Sequence, residues 1–141
     1  MADEVSVMRA GAIVQSARPT DLWRRPVDDW TAGFLGCDVI VDGQADAGHV
    51  VMDVGTARLA VALPIDDGPV RLGLRPESLV ATPGTASSVA VVTSVAALPG
   101  GPRLRVRIGG LDVTTAAAQM PSVGDRVDLA VIAERVAVIG R

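Results

Sequence analysis

Three residue types are missing from this 141-residue chain: it has no lysine, no asparagine and no tyrosine, so all 13 of its basic residues are arginine. A Gly-rich phosphate-cradling loop sets a lysine behind its glycines to reach the β- and γ-phosphates. Without lysine the chain cannot build that loop, and no nucleotide hydrolysis is expected of it. One cysteine (Cys37) and one histidine (His49) leave no intrachain disulfide and no metal site of clustered Cys and His. Cys37 reads as a small, partly buried apolar residue, and His49, beside Gly48, as an exposed turn residue. No apolar run approaches the ~20 residues that cross a bilayer, and no basic stretch followed by an apolar one opens the chain. A cytoplasmic protein without metal or cofactor is the expectation.

What is present points to a folded domain: 49% hydrophobic residues, 21% charged residues and a formal net charge of -3. The few aromatics, Trp23, Trp30 and Phe34, all precede Gly36. After Gly36 come Val-rich runs separated by Gly, Pro and Asp, the pattern of a mainly β barrel or sandwich. Nucleic-acid binding would call for aromatic stacking platforms and a positive groove, whereas residues 37–141 contain no aromatic and the net charge is negative.

Before Gly36, Val5-Ser6-Val7-Met8 and Ala12-Ile13-Val14-Gln15 flank Arg9-Ala10-Gly11 and predict a hairpin. Pro19 starts a short helix that Pro26 stops, and Gly36 caps a second one that carries Trp30, Phe34 and Leu35 on one face. Strands are expected at 38–42, 49–54, 58–63, 70–74, 89–97, 103–108, 113–117, 126–132 and 133–139. Arg103, Arg105 and Arg107 alternate with Leu104, Val106 and Ile108, so that strand should have one wet face. The carboxylate pairs Asp28-Asp29 and Asp66-Asp67 sit in turns and read as solvated loop residues.

Four motifs carry a family resemblance. Residues Ala2 to Gln15, with Ala2-Asp3, Val7-Met8 and Gly11-x-Ile13-x-Gln15, resemble the segment that follows the switch histidine in ATP-binding subunits of ABC importers. Pro19-Thr20-Asp21-Leu22-Trp23-Arg24-Arg25-Pro26 and Trp30-Thr31-Ala32-Gly33-Phe34-Leu35-Gly36 continue it in the family's order. Leu72-Gly73-Leu74-Arg75-Pro76-Glu77-Ser78-Leu79 is similar to the signature of the C-terminal TOBE domain, and Gly124-Asp125-Arg126-Val127 to the turn before its last hairpin. Trp30, Thr31 and Cys37-Asp38-Val39 depart from the family pattern.

The resemblance implies an oligonucleotide-binding-fold-like TOBE β-barrel at 37–141, preceded at 1–36 by the ATPase domain's last hairpin and a helical linker. ATP and Mg would belong to the parent ATPase, upstream of this chain. It further implies a regulatory and dimerisation role, as a homodimer that meets the parent ATPase domain and membrane permease subunits at the inner face of the cell membrane. The expected interdomain or dimer contacts are Trp23, Trp30, Phe34, Arg75, Pro76 and Glu77. For the aromatics the competing reading is plain core packing; for Arg75 and Glu77 it is an ordinary surface ion pair. An alternative function is oxyanion or small-ligand sensing of the Mop/TOBE type, similar to molybdate-binding Mop domains, with an anion nest at Thr85-Ala86-Ser87-Ser88 and Gly100-Gly101.

Overall fold

The computed structural model describes residues 3–140; Met1, Ala2 and Arg141, and with them the first residue of the Ala2-Asp3 motif, lie outside the described residues. Strands β1 (Val5–Arg9) and β2 (Ala12–Ala17) form the expected hairpin. Its two-residue turn places Ala10 and Gly11 at φ 51° and 82°, and two successive positive φ values match the right-handed twist of paired strands. The helices α1 (Pro19–Arg24) and α2 (Asp29–Phe34) have six residues each, too few to hold without docking. Docking comes from Leu22 and Ala32, 3% and 0% exposed. Asp28 caps α2 by accepting the Thr31 N–H at 2.8 Å, and Gly36, at φ 99°, ends the second helical turn.

Two β structures follow. Strands β3 (Val39–Asp46), β4 (His49–Val54), β5 (Ala57–Ala62) and β6 (Gly68–Leu74), with β12 (Val136–Ile139), form an open antiparallel sheet in the order β12-β6-β3-β4-β5. Strands β7 (Leu79–Pro83), β8 (Ala90–Leu98), β9 (Gly101–Ile108), β10 (Leu111–Ala117) and β11 (Arg126–Val131) close a barrel in the order β10-β7-β11-β8-β9. One apolar core joins them, with Leu72 and Leu74 of the sheet and Leu79, Leu104, Val106 and Ile108 of the barrel buried together.

The chain thus has the expected mainly β fold with a closed barrel, a hairpin and short helices, and the strand pattern did not separate the open sheet from the barrel. Alternation reports which face of a strand is buried, not which strand lies beside it. Strand β7 was missed because it is short, follows Pro76 closely and ends in a proline. The expected strand at 133–139 begins instead with a 3-10 turn, Ala133–Arg135, and all four residues of β12 are buried, which erases the alternation. The arginine row of β9 has the predicted wet face, with Leu104, Val106 and Ile108 inside.

Helix α2 lies on the sheet through a small cluster of Ala32, Cys37, Ala137 and Ile139. Gly73 makes this approach possible: a Cβ there would stand 2.6 Å from Cys37 Sγ. A salt bridge from Asp29 to Arg71 at 3.0 Å adds an exposed contact that contributes little.

Candidate functional site at the linker-to-barrel corner

The chain passes from sheet to barrel at Arg75–Ser78 and back at Ile132–Arg135. Each crossing is an extended residue followed by a three-residue 3-10 turn. Pro76 suits the first turn because its missing N–H is not needed there. Ser78 then holds the corner: its Oγ accepts the Arg75 N–H at 2.9 Å and donates to the Arg135 carbonyl, and the Ile132 N–H donates to the Ser78 carbonyl at 2.8 Å. Ser78 is wholly buried.

Arg75 is the centre of the arrangement. It is 1% exposed, its Nε donates to the Leu35 carbonyl at 3.0 Å and its Nη2 to the Trp23 carbonyl at 2.9 Å. The guanidinium lies 3.7 Å from the centroid of the Trp23 ring, a cation–π contact. One side chain therefore ties the end of α1 and the end of α2 to the corner of the barrel. A planar fork reaches two carbonyls at once, which a lysine ammonium could not do from a fixed position. Burial draws the Arg75 pKa below its ordinary value, with Cys37 and Glu77 acting in the opposite direction. Burial also pushes the Cys37 thiol up, so Cys37 stays protonated and unreactive at neutral pH.

The expected contacts fall into two groups. Trp23, Arg75 and Pro76 meet at the corner, and the surface-ion-pair reading of Arg75 is corrected: its partners are buried backbone carbonyls, because the linker folds across it. Glu77 makes no salt bridge among the described residues, and its carbonyl receives Arg135 Nη1 at 3.4 Å. Trp30 and Phe34 form the second group, stacked at 5.4 Å with Arg9 4.8 Å from the Trp30 ring. Core packing does not describe Phe34, which is 64% exposed; α2 buries Thr31 and Ala32 instead. Only small residues let the helix approach Cys37 and Ala137.

Comparison with known proteins finds relatives of the chain. No protein-family model matches the chain. The Fe(3+) ions import ATP-binding protein FbpC of Serratia marcescens is 42% identical over 78 residues, 55% of this chain and 22% of that protein. The FbpC of Streptomyces avermitilis is 40% identical over 96 residues, covering 66% of this chain and 27% of the relative. FbpC 1 of Rhodococcus jostii is 31% identical over 144 aligned positions, which take in 96% of this chain and 41% of the relative. The chain is homologous to the C-terminal part of these ABC importer ATP-binding proteins. It spans between 22% and 41% of their length. Its β-barrel is consistent with a TOBE domain.

Two further residues of the chain hold the linker and its corner in place. Ser78 is the first. Gln15, the last residue of the Gly-x-Ile-x-Gln motif, is the second: its Nε2 donates to the Arg25 carbonyl at 2.9 Å and its Oε1 accepts the Val27 N–H at 2.9 Å. The hairpin is thereby clipped to the linker on either side of Pro26. The glutamine that closes the Gly-x-Ile-x-Gln motif was the available signal.

The suggested anion nest is occupied from within. The Thr85 N–H donates to Ser88 Oγ at 2.8 Å, the Ser87 N–H to Thr85 Oγ1 at 3.4 Å and the Ser88 N–H to the Thr85 carbonyl at 3.1 Å. Gly100 and Gly101 lie elsewhere, at the tip of the β8–β9 hairpin. No helix of the described residues is long and apolar enough to cross a membrane.

Proposed function

We propose that this chain is the accessory and regulatory part of the ATP-binding subunit of an ABC importer, and that the importer carries Fe(3+), as the names of its relatives state. In this reading residues 1–36 are the tail of the ATPase domain with its linker, and residues 37–141 are the regulatory domain. The chain itself performs no hydrolysis; ATP and Mg act in the parent ATPase domain, and permease subunits complete the transporter at the inner face of the cell membrane. The observation that carries the reading is similarity to the C-terminal part of proteins that import ferric ions. The Arg75 latch supports it mechanically, because a domain that senses the ATPase state needs a linker that does not swivel. Exposed Met8 and Ile13, 56% and 63% accessible on the hairpin, fit a contact with the ATPase domain or with a second copy, since monomers seldom leave such surface open.

A chimera tests the proposal. This chain replaces the C-terminal part of the Serratia marcescens protein in cells that depend on it for iron. Fe(3+) uptake and ATPase activity near those of the native protein are expected. Uptake no better than that of a truncated subunit overturns the reading. The homodimer is checked separately by light scattering over a concentration series, where a monomer at every concentration rejects it.

A further inference from the structure

The barrel has a mouth that the reading above leaves unused. Strand β10 pairs with β7 in parallel over two positions only, Ala116 with Val80 and Ala117 with Ala81. Past Ala117 the chain turns away from β7, and a cavity of about 600 Å³ opens between them, within the range of ~300–1,000 Å³ usual for small-molecule sites. Its floor is the apolar interior of the barrel: Ala81, Leu104 and Val127 line it and are 3%, 0% and 3% exposed. Alanine at 81 and 117 is too small to fill the space. Met120 forms part of the wall and is 52% exposed, as a flexible thioether above an adaptable pocket would be.

The rim carries one arginine and one aspartate. Arg126 lines it, with Nη1 held by the Ser88 carbonyl at 2.8 Å. Among the described residues Arg126 forms no salt bridge. Asp125 also lines the rim, with its Oδ2 accepting the Ser122 N–H at 2.9 Å, so one of its oxygens is turned to the backbone, and Arg126 is the cation among the lining residues.

The geometry points to a binding site for a small amphipathic carboxylate, with its apolar chain on Ala81, Leu104 and Ala117 and its carboxylate on Arg126. Charge-assisted hydrogen bonds from the guanidinium suit a carboxylate better than a neutral head. This site is independent of the transporter reading. The intact chain is titrated with octanoate, octylamine and octanol, followed by amide shifts at Ala81–Ala86, with folding of each variant checked by circular dichroism. Octanoate should bind saturably and most tightly of the three, with a loss of about tenfold or more in Arg126→Gln. Ala117→Leu, which fills the mouth and leaves the arginine in place, should abolish it. No saturable shift with octanoate overturns the site. Equal binding of octanol or octylamine, or undiminished binding in Ala117→Leu, overturns the proposed chemistry.

Discussion

The two crossings between sheet and barrel have the same backbone and different chemistry. Arg75 enters the first at φ -96°, ψ 164° and Leu79 leaves it at φ -116°, ψ 137°; Ile132 enters the second at φ -93°, ψ 108° and Val136 leaves at φ -95°, ψ 132°. Both turns carry a glutamate at the same place, Glu77 and Glu134. Yet the first turn buries Ser78 beside a buried Arg75, while the second buries none of its three residues. Topology alone demands a tight reversal wherever a strand leaves one sheet for another. Which of two such reversals becomes chemically specialised is set by what lies over it, and only the first is covered by the helical linker.

Breaking the first corner should have the largest effect. Arg75→Ala removes two hydrogen bonds from a buried cation and strands the Trp23 and Leu35 carbonyls, so a loss of about 3 kcal/mol or more is expected in urea unfolding. Arg75→Lys should recover little of it, since the fork is lost. Trp23 fluorescence should shift toward that of a solvated indole in the same variants. Unchanged stability in Arg75→Ala would mean that the corner does not hold the linker.

Ser78→Ala comes next. It leaves the Arg75 N–H and the Arg135 carbonyl without their buried partner and should cost about 2 kcal/mol. It probes the clip between the two corners; because Ser78 bonds the Arg135 backbone carbonyl, which Arg135→Ala retains, the effects of the two changes should be close to additive.

A smaller effect is expected on the linker side. Asp28→Ala removes the cap of α2 and should cost about 0.5–1 kcal/mol at neutral pH. The hydrogen bonds of the Asp28 carboxylate with Thr31 hold its pKa below the ordinary value. A depressed pKa stabilises the fold above the unfolded value of ~3.9 and loses that contribution as pH falls through the folded value. The gap between native and Asp28→Ala midpoints should therefore close on acidification below about pH 4. A gap independent of pH would contradict the capping role.

The smallest effect sharpens the comparison. Arg135→Ala at the second corner removes an exposed side chain with a long contact to the Glu77 carbonyl, so the change should stay within about 0.5 kcal/mol. A loss as large as that of Arg75→Ala would show that the two corners are equivalent after all.

Much of the local structure was legible. The hairpin, the proline-bounded helix, the Gly36 cap and the one-sided arginine strand follow from neighbours in the chain. The site was legible only in part. Arg75 and Trp23 were singled out for a motif, but not as partners, and the motif does not say that the arginine is inside. Trp30 and Phe34 were expected on a core-facing side by their spacing. A six-residue helix has too little surface to enforce that choice, and close approach to Cys37 favoured Ala32.

The sequence by itself determined the elements whose causes lie within a few residues: turns from Ala10-Gly11, stops from Pro26, wet and dry faces from period-2 alternation, and the absence of a lysine-bearing phosphate loop. Only the tertiary structure decided that β7 exists and closes a barrel, that β12 returns to the open sheet, and that Arg75 is a buried latch. Those outcomes rest on contacts across 40, 52 and 57 residues, from Arg75 to Leu35 and Trp23 and from Ser78 to Arg135. A buried polar group is tolerated only where such distant partners arrive together, and chain-local patterns do not record their arrival.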